Sequence, residues 1–105
     1  MYAPLQISLR GIPPSDTLQR SIRDKAQKLE HFYDRISACQ VALTLGARHK
    51  RERGQFSVQV GVKVPGGKIE VTRGHDRSIH VALRDAFNAA LRQLEAYARD
   101  ERAPV

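Results

Sequence analysis

Arginine and lysine side chains recur at helical spacing in two stretches of the sequence, and the chemistry they offer is anion binding. One face of a helix predicted over residues 76–102 presents Arg77, Arg84, Asn88, Arg92, Arg99 and Arg102. The polar side of a helix predicted over residues 15–33 presents Arg20, Arg23, Gln27, Lys28 and His31, with Lys25 at its edge. Guanidinium and ammonium groups only donate hydrogen bonds, so these faces suit phosphate oxygens. The alternative is that both faces are merely solvated.

Patterns for catalysis or metal binding are weak. The four histidines are scattered over two helices and a loop, at His31, His49, His75 and His80. A metal site at residues 75–80 is disfavoured because Asp76 is better explained as a helix cap. Cys39 is the only cysteine, which excludes a disulfide or thiolate cluster, and we expect it to be a small buried group. We find no hydrolase, metalloprotease or phosphate-loop motif and therefore predict no enzyme, cofactor or small-molecule substrate.

Composition points to a folded domain with an acidic partner. The chain has 105 residues, of which 41% are apolar and 28% charged, with net charge +7 and a pI near 10.2. This excess favours nucleic acid first and a membrane surface second. We expect a single domain over residues 1–105, frayed at residues 103–105. No signal-peptide pattern or membrane-length apolar run is present, so we expect a cytoplasmic protein.

Periodicity predicts the elements that position the basic residues. Alternation at residues 5–9 indicates a first strand, and Ser15 can cap a helix whose apolar stripe is Leu18, Ile22, Ala26, Leu29 and either Phe32 or Tyr33. Alternation predicts two further strands. One face of the second strand carries Cys39, Val41, Leu43 and Leu45, and one face of the third carries Phe56, Val58, Val60, Val62 and Val64. The loop between them is strongly basic at Arg48, Lys50, Arg51 and Arg53.

A tight turn and a long helix complete the chain. The glycines of Pro65-Gly66-Gly67 allow a hairpin into a fourth strand, and the last helix begins near Asp76 with an apolar face from Ile79 to Tyr97. The order β-α-β-β-β-α predicts an α+β fold: a two-layer arrangement of a four-stranded mixed sheet with two helices packed on one face. The two basic stripes would then form one surface.

Five short segments, in three regions of the chain, resemble the ribosome hibernation promoting factor / ribosome-associated inhibitor family, in the order and spacing of that family. They are Lys25-Ala-Gln-Lys28-Leu29-Glu30 with Asp34-Arg35-Ile36, then Pro65-Gly66-Gly67, then Val81-Ala82-Leu83-Arg84-Asp85-Ala86 with Arg92-Gln93-Leu94. The resemblance, to the short form of the family, implies a βαβββα domain in the tRNA and mRNA channel of the small ribosomal subunit. It also implies rRNA contacts at Lys25, Lys28 and Arg92.

These arguments predict a non-catalytic, ribosome-associated translation regulator that is monomeric when free and binds small-subunit rRNA. The predicted nucleic-acid-binding residues are Arg20, Arg23, Lys25, Lys28, Arg84, Arg92 and Arg99. A double-stranded RNA-binding domain fits poorly, because residues 76–80 lack its lysine cluster. Stacking on single strands is disfavoured, because aromatic residues are few and most lie on apolar stripes. A basic protein-interaction or general RNA-binding module remains the alternative.

Overall fold

Four strands and two helices follow one another in the predicted order β-α-β-β-β-α. The computed structural model describes residues 4–46, 55–75 and 78–102. The elements are β1 (Leu5–Arg10), α1 (Asp16–Phe32), β2 (Ala38–Leu45), β3 (Phe56–Val64), β4 (Gly67–His75) and α2 (Ile79–Arg102). The basic loop predicted at residues 48–53 lies outside the described residues, as do Asp76 and Arg77.

The strands form one mixed sheet in the order β1-β2-β3-β4. β1 pairs with β2 in parallel, as expected for two strands joined by a crossover helix, and the other neighbours are antiparallel. The β3–β4 hairpin has a two-residue loop, since Val64 pairs directly with Gly67. Pro65 precedes Gly66, whose φ of 81° is the conformation that glycine adopts readily at the third position of a type II turn.

Both helices pack on one face of this sheet, which confirms the two-layer prediction. Alternate residues of the central strands are buried there, among them Val41, Val58, Val60 and Val62 at 0–1% exposure. They join residues of α1 and α2 in one hydrophobic cluster, which includes Ile22, Leu83, Leu94 and Phe87. Burial of each large side chain contributes about 1.5–3 kcal/mol, so the sheet supplies the stability that neither helix has alone.

The helix starts are determined by serine caps. The Ser15 hydroxyl accepts from the backbone N–H of Leu18, as predicted. For α2 the prediction of a start near Asp76 was too early: the helix begins at Ile79, and the Ser78 hydroxyl accepts from the N–H of Val81 at 3.2 Å. The Ser78 N–H in turn donates to His75 Nδ1 at 3.0 Å. Serine at this position satisfies a donor that the first turn leaves free.

The structure shows which of two adjacent aromatic residues joins the core and where one predicted core leucine lies. Tyr33 is 5% exposed and Phe32 is 41% exposed, so the core takes the residue just past the last helical turn. The rings of Tyr33 and Tyr97 of α2 form a T-shaped pair, with centroids 6.0 Å apart and planes at 85°. The Tyr97 hydroxyl donates to the carbonyl of Pro65 and so fixes α2 to the hairpin. Leu45, expected on the buried face, is 37% exposed because β2 ends there.

Candidate nucleic-acid interface

The predicted basic residues of α1 fall into two groups. Arg20 and Arg23 form one i,i+3 pair, and Lys25 and Lys28 form another. At about 100° per residue, Arg23 lies on one side of the buried stripe, and Lys25 and Lys28 lie on the other. Three of the four are exposed, whereas Lys25 is half-buried, with its Nζ 3.5 Å from the Ser21 hydroxyl. Only one of the two groups can therefore border α2.

The predicted residues of α2 lie on the side of the helix away from the sheet. Arg92 and Arg99 are exposed and seven residues apart, which places them about 10 Å apart along one line of the helix surface. Arg84 is also exposed, and its guanidinium lies 3.3 Å from the carboxylate of its neighbour Asp85. Buried Ala82 and Ala89 occupy the flank opposite Arg84. The seven predicted residues thus cover the outer surface of the helical layer without forming one tight cluster.

Acidic residues on the same helices nearly balance these cations. The span of α1 contains four Lys or Arg and three Asp or Glu, and the span of α2 contains four of each. Asp24 and Asp100 are both exposed, like the arginines. The helices therefore account for only +1 of the net charge of +7. The feature of this surface is therefore the fixed position of each cation along its helix, and not a large net charge.

Basic residues that helical spacing does not reveal lie on the other side of the sheet. We call this side the open face; it consists of the strand residues that point away from the helices. Arg10, Lys63 and Lys68 lie on it together with one acid, Glu70, and all four are exposed. These residues give the open face a charge of +2; the remaining strand cation, Arg73, pairs with buried Val58 and lies on the helix side. Strand alternation and a two-residue hairpin loop would have revealed the Lys63–Lys68 pairing.

Acid–base or thiol chemistry finds little support among the described residues. No group of three or more His, Cys, Asp or Glu in residues 4–46, 55–75 and 78–102 could hold a metal ion. Cys39 is buried as predicted, and burial raises the pKa of its thiol to about 11, with a smaller contribution from Glu30. A thiol of that pKa is a poor nucleophile. Within the same ranges, no helix is long and apolar enough to cross a membrane.

Solved structures share this fold. A ribosomal subunit interface protein from Coxiella burnetii superimposes with a TM-score of 0.75 at 20% identity, covering 90% of this chain and 97% of that one. The N-terminal domain of Protein Y from Thermus thermophilus gives a TM-score of 0.76 at 16% identity, covering 91% and 99%. At such identities the likeness establishes the fold alone.

Sequence relatives identify the family. The ribosome hibernation promotion factor of Deinococcus radiodurans is 27% identical over 92 residues, which are 88% of this chain. The chain spans about half the length of that relative, 47%. The family described as sigma 54 modulation protein / S30EA ribosomal protein matches residues 5–102, from the first strand to the end of the last helix. The chain therefore belongs to the sigma 54 modulation protein / S30EA ribosomal protein family.

Proposed function

We propose that this chain is a non-catalytic regulator of translation that inactivates ribosomes under stress. It would bind rRNA of the small subunit at the decoding region and exclude tRNA and mRNA, acting in the cytoplasm and monomeric when free. The observation that carries the proposal is the family match over residues 5–102. The relative that is 27% identical is named for ribosome hibernation, which supports the same function.

The helical layer is the proposed contact with this RNA. Its cations are Arg20, Arg23, Lys25, Lys28, Arg84, Arg92 and Arg99. Side chains on a packed helix keep a fixed spacing, so they can match phosphates of a folded RNA by shape as well as by charge. The interspersed acids, such as Asp24 and Asp85, would repel phosphates that arrive in another register. Recognition by position accounts for a surface that has little net charge.

Removal of cations from either helix tests the proposal. One variant combines Lys25→Ala with Lys28→Ala, and the other combines Arg84→Ala with Arg92→Ala. Each loses two phosphate-neutralising groups, so the slope of log affinity for purified small subunits against log salt should shrink by roughly 1.4–1.8. Both variants should also relieve inhibition of translation in a cell-free extract.

A matched control keeps the charge. Gln27→Ala with Asn88→Ala alters one exposed, uncharged residue on each helix and should leave affinity and slope unchanged. Folded cation variants that bind small subunits and inhibit translation like the parent would refute the helical contact. A parent protein that stays at the top of a sucrose gradient loaded with lysate would instead favour the alternative, a basic module that acts away from ribosomes.

A further inference from the structure

The open face is polar across the whole width of the sheet. Its centre is formed by Gln40, Gln59 and Gly61, and no aromatic side chain points from the described strands to this side. A Cβ at Gly61 would lie 3.3 Å from Cε of Lys68, so the lysine stem lies across the glycine. Gly61 is buried beneath this stem, whereas Gln40 and Gln59 are exposed. A flexible polyanion could approach this surface without steric hindrance.

Two lysines oppose each other on the open face. Lys63 of β3 pairs directly with Lys68 of β4, which places their Cβ atoms about 4.5–5.5 Å apart. Like charges in this position are destabilising. Lys68 is compensated by Glu70, with Nζ 2.6 Å from Oε1, whereas Lys63 has no ion pair among the described residues. The pair thus holds a positive charge that no residue in the described part of the chain neutralises.

Charge and surface type both favour nucleic acid as the occupant. The strand residues of the open face, three cations and one acid, contribute +2 to the net charge, against +1 from the two helices. A protein partner would need apolar or aromatic anchors, and small or polar residues such as Ala42, Gln59 and Thr72 offer none. Base stacking is excluded on this face for the same reason. What remains is contact of lysines with phosphate oxygens.

We propose that the open face is a second RNA-binding surface, on which Lys63 and Lys68 contact phosphates of an RNA segment distinct from the one at the helices. This inference rests on the proposed function, since the RNA is that of the small subunit. The open face and the helical layer point in opposite directions, so one RNA strand cannot follow both. The bound protein is therefore held between two RNA segments.

Lys63→Gln tests the proposal against Arg73→Gln as a matched control. Both changes remove one positive charge, but Arg73 pairs with buried Val58 and therefore lies on the helix side of the sheet. With purified small subunits, Lys63→Gln should lower the salt slope by about 0.7–0.9 and weaken binding roughly fivefold near 0.15 M salt. Arg73→Gln should lower the slope by clearly less, because it weakens long-range attraction without removing a phosphate contact on the open face. The double change Lys63→Gln with Lys68→Gln should roughly double the loss of slope.

Chemical footprinting of the rRNA separates the outcomes. The double variant should lose protection of one rRNA segment and keep the protections that are lost when Lys25 and Lys28 are replaced. Equal effects of Lys63→Gln and Arg73→Gln would overturn the proposal, because only net charge would then matter. A weakened complex with an unchanged RNA footprint would also overturn it, in favour of a protein contact. In both cases binding by the parent still supports the proposed function, which fails only if the parent does not bind small subunits.

Discussion

Phe32 and Tyr33 are adjacent aromatic residues that the structure places in opposite environments, and their replacement by alanine provides a matched test of the fold. Tyr33 is 5% exposed and packs against Tyr97, whereas Phe32 is 41% exposed. Truncation of a buried aromatic residue costs about 3–5 kcal/mol. The unfolding entropy of a 105-residue chain is about 0.22 kcal/mol/K, so Tyr33→Ala should lower Tm by about 14–23 °C.

Phe32→Ala makes nearly the same chemical change at the preceding position. Because much of this ring already contacts water, its loss should cost roughly 1 kcal/mol and lower Tm by about 5 °C. Effects on the unfolded chain should be similar for neighbouring residues, so the difference reports on native packing. Thermal unfolding followed by circular dichroism measures both values.

The contact between the two tyrosines can be measured separately. A double-mutant cycle of Tyr33→Ala and Tyr97→Ala should give a coupling energy of about 0.5–1.5 kcal/mol, the usual value for an edge-to-face aromatic pair. Equal losses of Tm for Phe32→Ala and Tyr33→Ala would contradict the assignment of Tyr33 to the core. A larger loss for Phe32→Ala would mean that α1 is rotated about its axis relative to the sheet.

Two further predictions concern the caps and the cysteine. Ser15→Ala and Ser78→Ala should each lower the free energy of unfolding, measured in urea, by about 0.5–2 kcal/mol, because each hydroxyl accepts from a backbone N–H at the start of a helix. The control is Ser37→Ala, which removes an exposed hydrogen bond from the Ser37 hydroxyl to the Lys63 carbonyl. The raised pKa of Cys39, about 11, keeps the buried thiol protonated at pH 8, so a thiol reagent should label the protein only after unfolding in denaturant; rapid labelling of the native protein would contradict its burial.

The fold could be predicted from sequence because several local signals agreed. The valines of β3 alternate over the whole strand, and the structure buries Val58, Val60, Val62 and Val64 on the helix side. Ser15 stood at the right distance before an apolar stripe and caps α1. Prediction failed where regular geometry ends. Tyr33 has extended φ and ψ angles of −139° and 112°, so helical spacing no longer decides which of the two aromatic residues turns inward.

The candidate site was harder to predict, because the spacing of Lys and Arg shows where each side chain lies on a helix but not which charged side chains surround it. Spacing placed Arg92 and Arg99 correctly on an exposed line of α2. It did not weigh Asp24 and Asp85, which lie on the same helices and offset their charge. A two-residue hairpin loop would have paired Lys63 with Lys68 from the sequence, but it would not have shown that Glu70 forms an ion pair with Lys68. Which cations are offset by a neighbouring acid depends on side-chain positions in the folded protein.

The division of charge between the two layers has a consequence for binding kinetics. Long-range attraction depends on net charge, so Lys63→Gln and Arg73→Gln should slow association to a similar degree. Dissociation depends on the contacts that must break, so only cations that touch phosphates should change it. A nearly neutral helical layer then selects the RNA by the position of each arginine, while the strands and loops supply most of the attraction. If both single variants dissociated at the parental rate, the open face would contribute attraction alone.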